Sequence, residues 1–488
     1  MTAPRDLRSW LDLLAAEGEL MRIGAEVDWN LEIAEITRRA LVKRAPALLF
    51  ENVKGYGDGW CRRLFVNGLG SRARLNLMFG LPKSASYAEL VALTRRRLRE
   101  PIAPVMVDTG PVKEHVIEGA AIDLTQLPVP FWHELDGGRY INTWCAVVTR
   151  DPDSGEVNVG TYRGMIAGRD RISVFLEATR DWAKHFAKHR ARGTPMPVAV
   201  VYGWDPSMVY AAGHPFAHDE YGIMGAIRRQ PVELVKCDTN DLPVPASAEI
   251  VIEGSISPDP ETFALEGPFG EFSGVYGGFP RPRPVIQVSR ITHRTDPIYR
   301  GNLEGPTQGS PTESSLMFYV GWAAAMWEVL ESQGHAGSVL DVVAGPWTVI
   351  KIRKAYEGQP RHIAAAIWGS KLITYIGKIL VVVDEDVDIH DARAVQIAIR
   401  AYADPTKDFI AFPMLAGGSG DTALPEEASD EVKWGSGMHS KMLIDATVEW
   451  ATHPVRPEWR NQRKPVNCTV SPPEIVALVD RRWAEYGF

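Results

Sequence analysis

The strongest constraint on the fold is a long β-rich region in the middle of the chain. Between residues 116 and 305 strand-like runs dominate, among them PVAVVYG (197–203), EIVIEGSI (249–256) and RPVIQVSRITHR (283–294). The turn sequence DPDSG (151–155) separates two further runs and predicts a β-hairpin. A succession of strands of this kind can close on itself, so the region predicts a β-barrel.

The regions on either side of this barrel alternate helix and strand. Because 488 residues are too many for one hydrophobic core, two or three domains are expected. Residues 5–17 predict a helix with one apolar face, which Gly18 ends. That face consists of Leu7, Trp10, Leu11 and Leu14.

The C-terminal region carries helix-start signals twice. Ser310, Pro311 and Glu313 predict an N-cap, a first-turn proline and a capping-box acid, with a stop at Gly334. KILVVVDEDVDIHD (378–391) predicts a buried strand, and ARAVQIAIRAY (392–402) predicts a helix after it. The same start signal recurs at Ser471, Pro472 and Glu474. The helix that follows has an apolar face, which we expect to dock either on its own body or on a partner subunit.

These patterns together predict an α/β (α+β) protein in four parts. The parts are an N-terminal α/β domain (1–115), the β-rich central domain (116–305), a C-terminal α/β domain (306–465) and a docking helix (466–488).

Composition excludes broad classes of function. A net charge of −8 argues against a general nucleic-acid binder. Cys61, Cys145, Cys237 and Cys468 are scattered, which is typical of a reducing compartment without structural zinc. With no signal peptide and no apolar run of 18 residues, we expect a soluble, cytoplasmic protein that does not bind membranes.

The run LEGPFGEFSG (265–274) places two acids on tightly shaped backbone. Pro268 and the glycines disfavour a helix, and a plain strand would direct Glu266 and Glu271 to opposite faces. A turn through residues 268–270 would bring the two carboxylates together. On the residues alone, the commoner explanation is a pair of turn acids in water, or paired with surface arginines.

Standard catalytic and nucleotide-binding motifs are missing from the sequence. It contains no GxSxG elbow, Walker loop or HExxH, and GLGSRA (68–73) lacks the third glycine of a dinucleotide fingerprint. His214 and His218 have the spacing of a metal pair on a helix, but Pro215 disfavours a helix there.

Read together, local segments along the whole chain resemble the UbiD family of reversible decarboxylases that use prenylated FMN. The segments are, in chain order, HELDGGRY (133–140), NVGTYR (158–163), ELVKCDTNDLPVPASAEIVIEG (233–254), EGPFGE (266–271), KILVVVDEDVDIHD (378–391) and GSGMHSKMLIDAT (435–447). The resemblance implies a split β-barrel that binds the flavin and a C-terminal domain used for oligomerisation.

The resemblance also assigns a catalytic trio to Glu271, Arg163 and Glu266. Decarboxylation leaves negative charge on carbon, so a carboxylic acid with a raised pKa can deliver the proton that this carbon needs. The implied donor is Glu271. Arg163 would hold the substrate carboxylate by a forked contact, and Glu266 would orient Arg163.

Further residues would hold the cofactor and its metal. The resemblance implies that Asn158 and Glu220 are oxygen ligands of Mn²⁺ (or Mg²⁺), with K⁺ nearby, and that Lys378 contacts the phosphate. Many members have a histidine as third ligand where this sequence has Asp181, with His185 as a competing candidate. Arg180 would touch phosphate or substrate. The backbone of Val159, Gly160, Thr161, Tyr162 and Arg163 would lie along the flavin, where Gly160 allows close approach.

The implied substrate is an aromatic, heteroaromatic or α,β-unsaturated carboxylic acid, which reacts reversibly with release of CO2. The loop 303–313 lacks the histidine of some members that act on hydroxybenzoates, which favours a non-phenolic acid. The expected partners are an FMN prenyltransferase that supplies the cofactor and further copies of the chain, at least a homodimer. Two alternatives stay open: a plain-FMN oxidoreductase on a similar barrel, and a non-catalytic flavin-binding subunit of a decarboxylase complex.

Overall fold

The computed structural model describes residues 4–215, 219–305, 312–374, 377–416, 438–465 and 471–487. His218, Ser310, Pro311 and Cys468 lie outside the described residues. The same holds for residues 306–311 of the loop after the barrel and for residues 435–437.

The N-terminal part is a small sheet covered by helices. Helix α1 begins after the cap Asp6 and buries the four predicted apolar residues, which confirms the first helix. The sheet has the strand order β1-β2-β3, and a strand from the end of the barrel region (298–300) pairs with β3 as its fourth member. The elements are α1 Leu7–Ala16, β1 Leu20–Ile23, α2 Glu32–Val42, β2 Ala47–Phe50, β3 Arg63–Val66, α3 Arg72–Met78 and α4 Tyr87–Leu98.

The central part is built on a curved eight-stranded sheet with three helices and short accessory ladders. Its strands are β4 Val105–Met106, β5 His115–Glu118, β6 Ala146–Arg150, β7 Val157–Gly160, β8 Gly164–Gly168, β9 Arg171–Val174, β10 Met196–Tyr202, β11 Glu233–Lys236, β12 Pro243–Pro245, β13 Ile250–Ile256, β14 Ala264–Glu266, β15 Phe269–Gly270, β16 Tyr276–Gly277, β17 Arg281–Arg283, β18 Val285–His293 and β19 Ile298–Arg300. The helices are α5 Asp181–Ala191, α6 Ser207–Ala212 and α7 Glu220–Arg228.

The main sheet runs in the order β7-β6-β10-β13-β18-β9-β8, with β5 added beside β18. Its two ends, β7 and β8, are consecutive in the chain and are joined only by residues 161–163. Four peptide steps span at most about 14 Å, so the ends must approach each other and the sheet must curl into a barrel. The split in this barrel lies at residues 161–163. The hairpin predicted at residues 151–155 is confirmed by the antiparallel pairing of β6 and β7.

The C-terminal part is a five-stranded sheet in the order β20-β21-β22-β24-β23, with three parallel strands in the middle. Its elements are α8 Glu313–Leu330, β20 Val339–Val343, β21 Trp347–Ile352, α9 Gln359–Trp368, β22 Ile379–Asp384, α10 Ala392–Tyr402, β23 Phe409–Ala416, β24 Met438–Ala446 and α11 Pro473–Arg482. The predicted strand at 378–391 and the helix after it are confirmed as β22 and α10.

Both predicted helix starts in this part need correction. Helix α8 is capped by Thr312, whose hydroxyl accepts from the Ser315 backbone N–H, and not by Ser310. Helix α11 has Pro472 at its N-cap, in an extended conformation, and not Ser471. Pro472 precedes another proline, and the residue before a proline is pushed out of the helical region. Gly334 lies in the left-handed turn that follows α8, as the stop signal indicated.

Helix α11 does not dock on the described part of its own chain. No residue of the helix is buried, and Ile475, Val476 and Leu478 are 39–44% exposed. Of the two predicted docking modes, the single chain therefore does not provide the first. Among the described residues, no helix is both long enough and apolar enough to cross a membrane.

Candidate active site

The two acids of the run 265–274 lie along one arm of a β-hairpin, separated by the irregular residues Gly267 and Pro268. Glu266 ends strand β14, and Glu271 directly follows β15, the two-residue strand that pairs with β16. Gly267 has a φ of +94°, a left-handed conformation that favours glycine. The predicted turn through residues 268–270 is wrong, because β15 pairs with β16 on the same hairpin arm on which β14 pairs with β17. The chain reverses only after Glu271, where the Gly274 backbone N–H donates to the Glu271 carbonyl.

Both carboxylates pair with one guanidinium, that of Arg163. Arg163 Nε lies 2.9 Å from Glu266 Oε1, and its Nη2 donates to Glu266 Oε2 at 3.1 Å. Its Nη1 donates to Glu271 Oε1 at 2.5 Å. Arg163 comes from the three-residue link across the split in the barrel, so the link and the hairpin arm meet at this trio. Glu266 is 1% exposed at its side chain, whereas Glu271 retains 22%.

The segment HELDGGRY (133–140) forms hydrogen bonds with the hairpin arm that carries Glu266 and Gly270. The Tyr140 hydroxyl donates to Glu266 Oε1 at 2.8 Å and accepts from the Gly267 backbone N–H at 3.1 Å. Asp136 accepts from the Gly270 backbone N–H at 2.8 Å. A side chain at Gly137 would collide with the Gly267 carbonyl, because its Cβ would lie 2.1 Å from that oxygen.

The pKa of Glu271 depends on its burial and on its charged neighbours. Burial raises the pKa of Glu271, and the charge of Glu266 raises it further, although Arg163 opposes both effects. Two acids that share one arginine tend to titrate in separate steps, so one can stay protonated while the other is ionised. Arg163 also packs over the Phe175 ring at 4.6 Å from its centroid. The arrangement can therefore hold an anion and deliver a proton.

A cavity of about 280 Å³ opens in front of the trio, between the barrel and helix α8. It is lined by Arg163 and Glu271 and by six more of the predicted site residues: Asn158, Thr161, Tyr162, Arg180, Asp181 and Glu220. Glu266 does not line the cavity and lies behind Arg163. Helix α8 contributes Ser314, Met317, Phe318 and Trp322 to the opposite wall.

Three predicted residues do not line this cavity. Val159 is buried, and its backbone N–H donates to Glu220 Oε2 at 3.2 Å. Gly160 lies under the Tyr162 ring, whose atoms would be 2.3 Å from a Cβ at this position. The missing side chain makes room for Tyr162, and close approach of the flavin to Gly160 stays a prediction. Lys378 is exposed just before β22.

The proposed metal ligands lie at the other end of the cavity. Glu220 is 7% exposed, and burial raises its pKa to about 7. No basic side chain among the described residues pairs with it. Burial would raise the pKa of Asp181 as well, but Lys184 and Lys371 hold it below its usual value. Among the described residues no group of three His, Cys, Asp or Glu side chains could hold a metal, so a ligand set here needs the Asn158 amide.

The competing candidate His185 points elsewhere. Its Nδ1 lies 3.0 Å from the Thr149 hydroxyl and its Nε2 lies 3.9 Å from Asp151, and it does not line the cavity. His214 does line it, and burial lowers its pKa to about 4, so the ring is neutral at pH 7.

Sequence analysis missed two acids of the cavity, Glu177 and Glu304. Glu177 pairs with Arg180, whereas no basic side chain among the described residues pairs with Glu304. Burial raises the pKa of Glu304 to about 7, and Ser314 and Asn302 donate to it. The sequence indicates only that Glu304 lies in the loop 303–313, where a histidine and not an acid was expected to matter.

Comparisons with known proteins cover nearly the whole chain. Residues 104–307 match the 3-octaprenyl-4-hydroxybenzoate carboxy-lyase Rift-related domain, UbiD, and residues 11–94 and 337–446 match the N-terminal and C-terminal domains of the same family. Pyrrole-2-carboxylic acid decarboxylase of Pseudomonas aeruginosa is 34% identical, over 99% of this chain and 98% of that protein.

Solved structures agree with this assignment. Vanillic acid decarboxylase of Sedimentibacter hydroxybenzoicus, in closed form, has a TM-score of 0.85 and 31% identity over 100% of this chain and 99% of its own. The UbiD-class enzyme HmfF from Pelotomaculum thermopropionicum, in complex with FMN, has a TM-score of 0.80 and 30% identity over 97% and 99%. An evolved dimeric form of HmfF, in complex with prFMN, has a TM-score of 0.77 and 29% identity over 95% and 99%. The chain therefore belongs to the UbiD family and is a decarboxylase, that is, a carboxy-lyase.

Proposed function

We propose that the protein is a non-oxidative, reversible decarboxylase that uses prenylated FMN and acts on an aromatic, heteroaromatic or α,β-unsaturated carboxylic acid. The observation that supports this most strongly is the Glu266–Arg163–Glu271 trio at the wall of the cavity, in which Glu266 is buried and the other two side chains are largely buried. A plain-FMN oxidoreductase would leave this trio without a task, and a non-catalytic subunit would not need a proton donor.

The residues present fit such a cofactor. A volume of about 280 Å³ is near the lower end of small-molecule sites, which begin at about 300 Å³. The acids Glu220 and Asp181 lie close enough for one charge to raise the pKa of the other, and a cation between them would relieve that repulsion. Bound there, prenylated FMN would supply the electrophile that accepts the electrons of the broken carbon–carboxylate bond.

The chain itself would bind the acid and move the proton. Arg163 Nη2 donates to Glu266 and Nη1 donates to Glu271, which leaves one N–H on each of these two nitrogens for a substrate carboxylate. Glu271, held 2.5 Å from Arg163, would donate its proton to the carbon that has lost CO2 and recover it from solvent. Glu266 and Tyr140 would keep Arg163 in place throughout.

We expect Mn²⁺ or Mg²⁺, with K⁺ nearby, to bind through Asn158, Asp181 and Glu220. Replacement of Glu220 by glutamine should lower Mn²⁺ affinity by at least about 10- to 100-fold, a loss typical even of outer-shell partners. Isothermal titration with Mn²⁺ and the metal content of the purified protein measure this without turnover. The matched control is Glu233→Gln on an exposed part of β11. Equal Mn²⁺ affinity in the two variants would remove Glu220 from the ligand set.

We also propose that the protein is at least a homodimer, in which a second copy covers the apolar face of α11. Deletion of residues 471–488 should convert the oligomer into a monomer, because five large apolar side chains of this segment are 39–50% exposed in the single chain: Ile475, Val476, Leu478, Trp483 and Tyr486. Analytical ultracentrifugation of the full and shortened chains decides this. A shortened chain that sediments like the full one would assign the interface to another surface.

The function itself is tested by hydrogen exchange. Protein co-produced with an FMN prenyltransferase is incubated in deuterated water with panels of aromatic, heteroaromatic and acrylic acids, and ¹³CO2 incorporation is followed in parallel. We expect exchange with at least one panel member. A flavin-loaded protein that exchanges neither deuterium nor CO2 into any acid would exclude the proposed function.

A further inference from the structure

Glu304 lies beside the turn of residues 271–274 but takes no part in the trio. It follows strand β19 and lines the same cavity as Glu271. The next residue, Gly305, packs against the turn, because a Cβ on it would lie 3.5 Å from the Glu271 carbonyl oxygen and 3.4 Å from Gly274 Cα. Glu304 therefore belongs to the part of the wall that is next to the proton donor.

The Glu304 carboxyl group is fixed by two neutral donors. Asn302 Nδ2 donates to Oε1 at 2.7 Å, and the Ser314 hydroxyl donates to Oε2 at 2.6 Å. A carboxylate has about four lone-pair positions, so two acceptor positions remain after these bonds.

No basic side chain in the described part of the chain balances the charge of Glu304. Unlike Glu266 and Glu271, Glu304 has no basic partner among the described residues, and burial together with the charge of Glu271 raises its pKa to about 7. A buried carboxyl group without a cation is costly unless it receives further hydrogen bonds. Occupation of the cavity by a hydrogen-bond donor would supply them.

We infer that Glu304 selects the substrate: it accepts a hydrogen bond from an N–H or O–H group on the ring of an aromatic acid whose carboxylate lies at Arg163. This inference rests on the proposed function and narrows its substrate class to aromatic acids that carry such a donor. Acids without a donor would leave the free acceptor positions of Glu304 buried and unpaired, and sites of this kind reject such analogues strongly.

A purely structural role gives a different expectation. Through Ser314, Glu304 also joins the end of β19 to the first turn of α8. If that were its only task, its loss would change the turnover of all acids by the same factor.

Two matched pairs of acids separate these cases: pyrrole-2-carboxylate against furan-2-carboxylate, and 4-hydroxybenzoate against benzoate. We expect the loaded wild-type protein to prefer the donor-bearing acid by at least about 10-fold in kcat/KM, because an acid without the donor leaves a buried acceptor unpaired. Glu304→Leu should reduce that ratio to within about 3-fold, and Glu304→Gln, which keeps an acceptor oxygen, should restore part of it. Glu261→Leu, at an exposed site, should keep the wild-type ratio.

The flavin spectrum and the melting temperature of each variant show that it is folded and loaded. The inference is overturned by a wild-type ratio near one, by a ratio that Glu304→Leu leaves unchanged, or by turnover confined to acids without a donor. If the wild-type protein turns over no acid at all, the proposed function fails together with the inference. Equal losses for both acids of a pair overturn the inference alone.

Discussion

Replacement of Glu271 by glutamine is expected to lower the decarboxylation rate by about 10²–10⁴-fold while the flavin stays bound. Glutamine keeps the size of the side chain and can still accept from Arg163, but it has no acidic proton, and proton transfer by a positioned group contributes about this factor. Stopped-flow assays under single-turnover conditions, with the flavin absorption as a measure of loading, give the rate. Because the reaction needs protonated Glu271, whose pKa burial raises, the wild-type rate should fall as the pH rises through that pKa.

The control for this variant is Glu261→Gln, an exchange of the same chemistry at an exposed position. It should retain the wild-type rate and pH profile. If Glu271→Gln turns over at the same rate as this control, the proton comes from another group, and Glu304 becomes the first acid to examine.

Replacement of Arg300 by methionine is expected to destabilise the fold by about 3–5 kcal/mol, the cost of leaving a buried charge without its partner. Arg300 Nη2 lies 2.5 Å from Glu313 Oε2, and the Glu313 side chain is fully buried. Glu313 also accepts from the backbone N–H groups of Asn67 and Leu69, both at 2.8 Å. The pair thus connects the N-terminal sheet, the end of the barrel and the first turn of α8. Differential scanning calorimetry should show a melting temperature lowered by several degrees.

Two further variants show whether the buried charge is the cause. The double variant Arg300→Met/Glu313→Gln removes the charge as well and should recover part of the lost stability. Arg353→Met breaks the exposed pair with Glu385 and should change stability by less than about 1 kcal/mol. A single Arg300 variant that melts like the Arg353 variant would show that the pair contributes little.

The elements that could be predicted from the sequence are those whose cause is local. The face of α1 and the hairpin at 151–155 follow from periodicity and turn residues, and the structure confirms both of them. The turn predicted between Glu266 and Glu271 is wrong, because β15 continues the hairpin arm that β14 begins. The meeting of Arg163 with that arm depends on the curvature of an eight-stranded sheet. Only the family resemblance could place residues 103 and 108 positions apart beside each other.

Other features of the site and of the fold depend on packing between distant residues, which a linear pattern does not contain. Gly160 is required by the ring of Tyr162, which stacks at 4.2 Å on Trp182, a contact between the link across the split and helix α5. Thr312 caps α8, although Ser310 followed by Pro311 matches the helix-start pattern more fully. Glu304 could not be distinguished from an ordinary loop acid, because its burial depends on Asn302, on Ser314 and on the nearby turn.

The link of residues 161–163 also limits how a ligand can reach the trio. Because only three residues connect β7 to β8, these two edges of the barrel stay close together, and Arg163 lies in the link between them. Side chains of α8 form another wall of the cavity, together with Val209 and Ala212 of α6 and with Thr374. A mutation on the α8 wall, at Phe318 for example, would alter the size of admissible molecules without touching the chemistry.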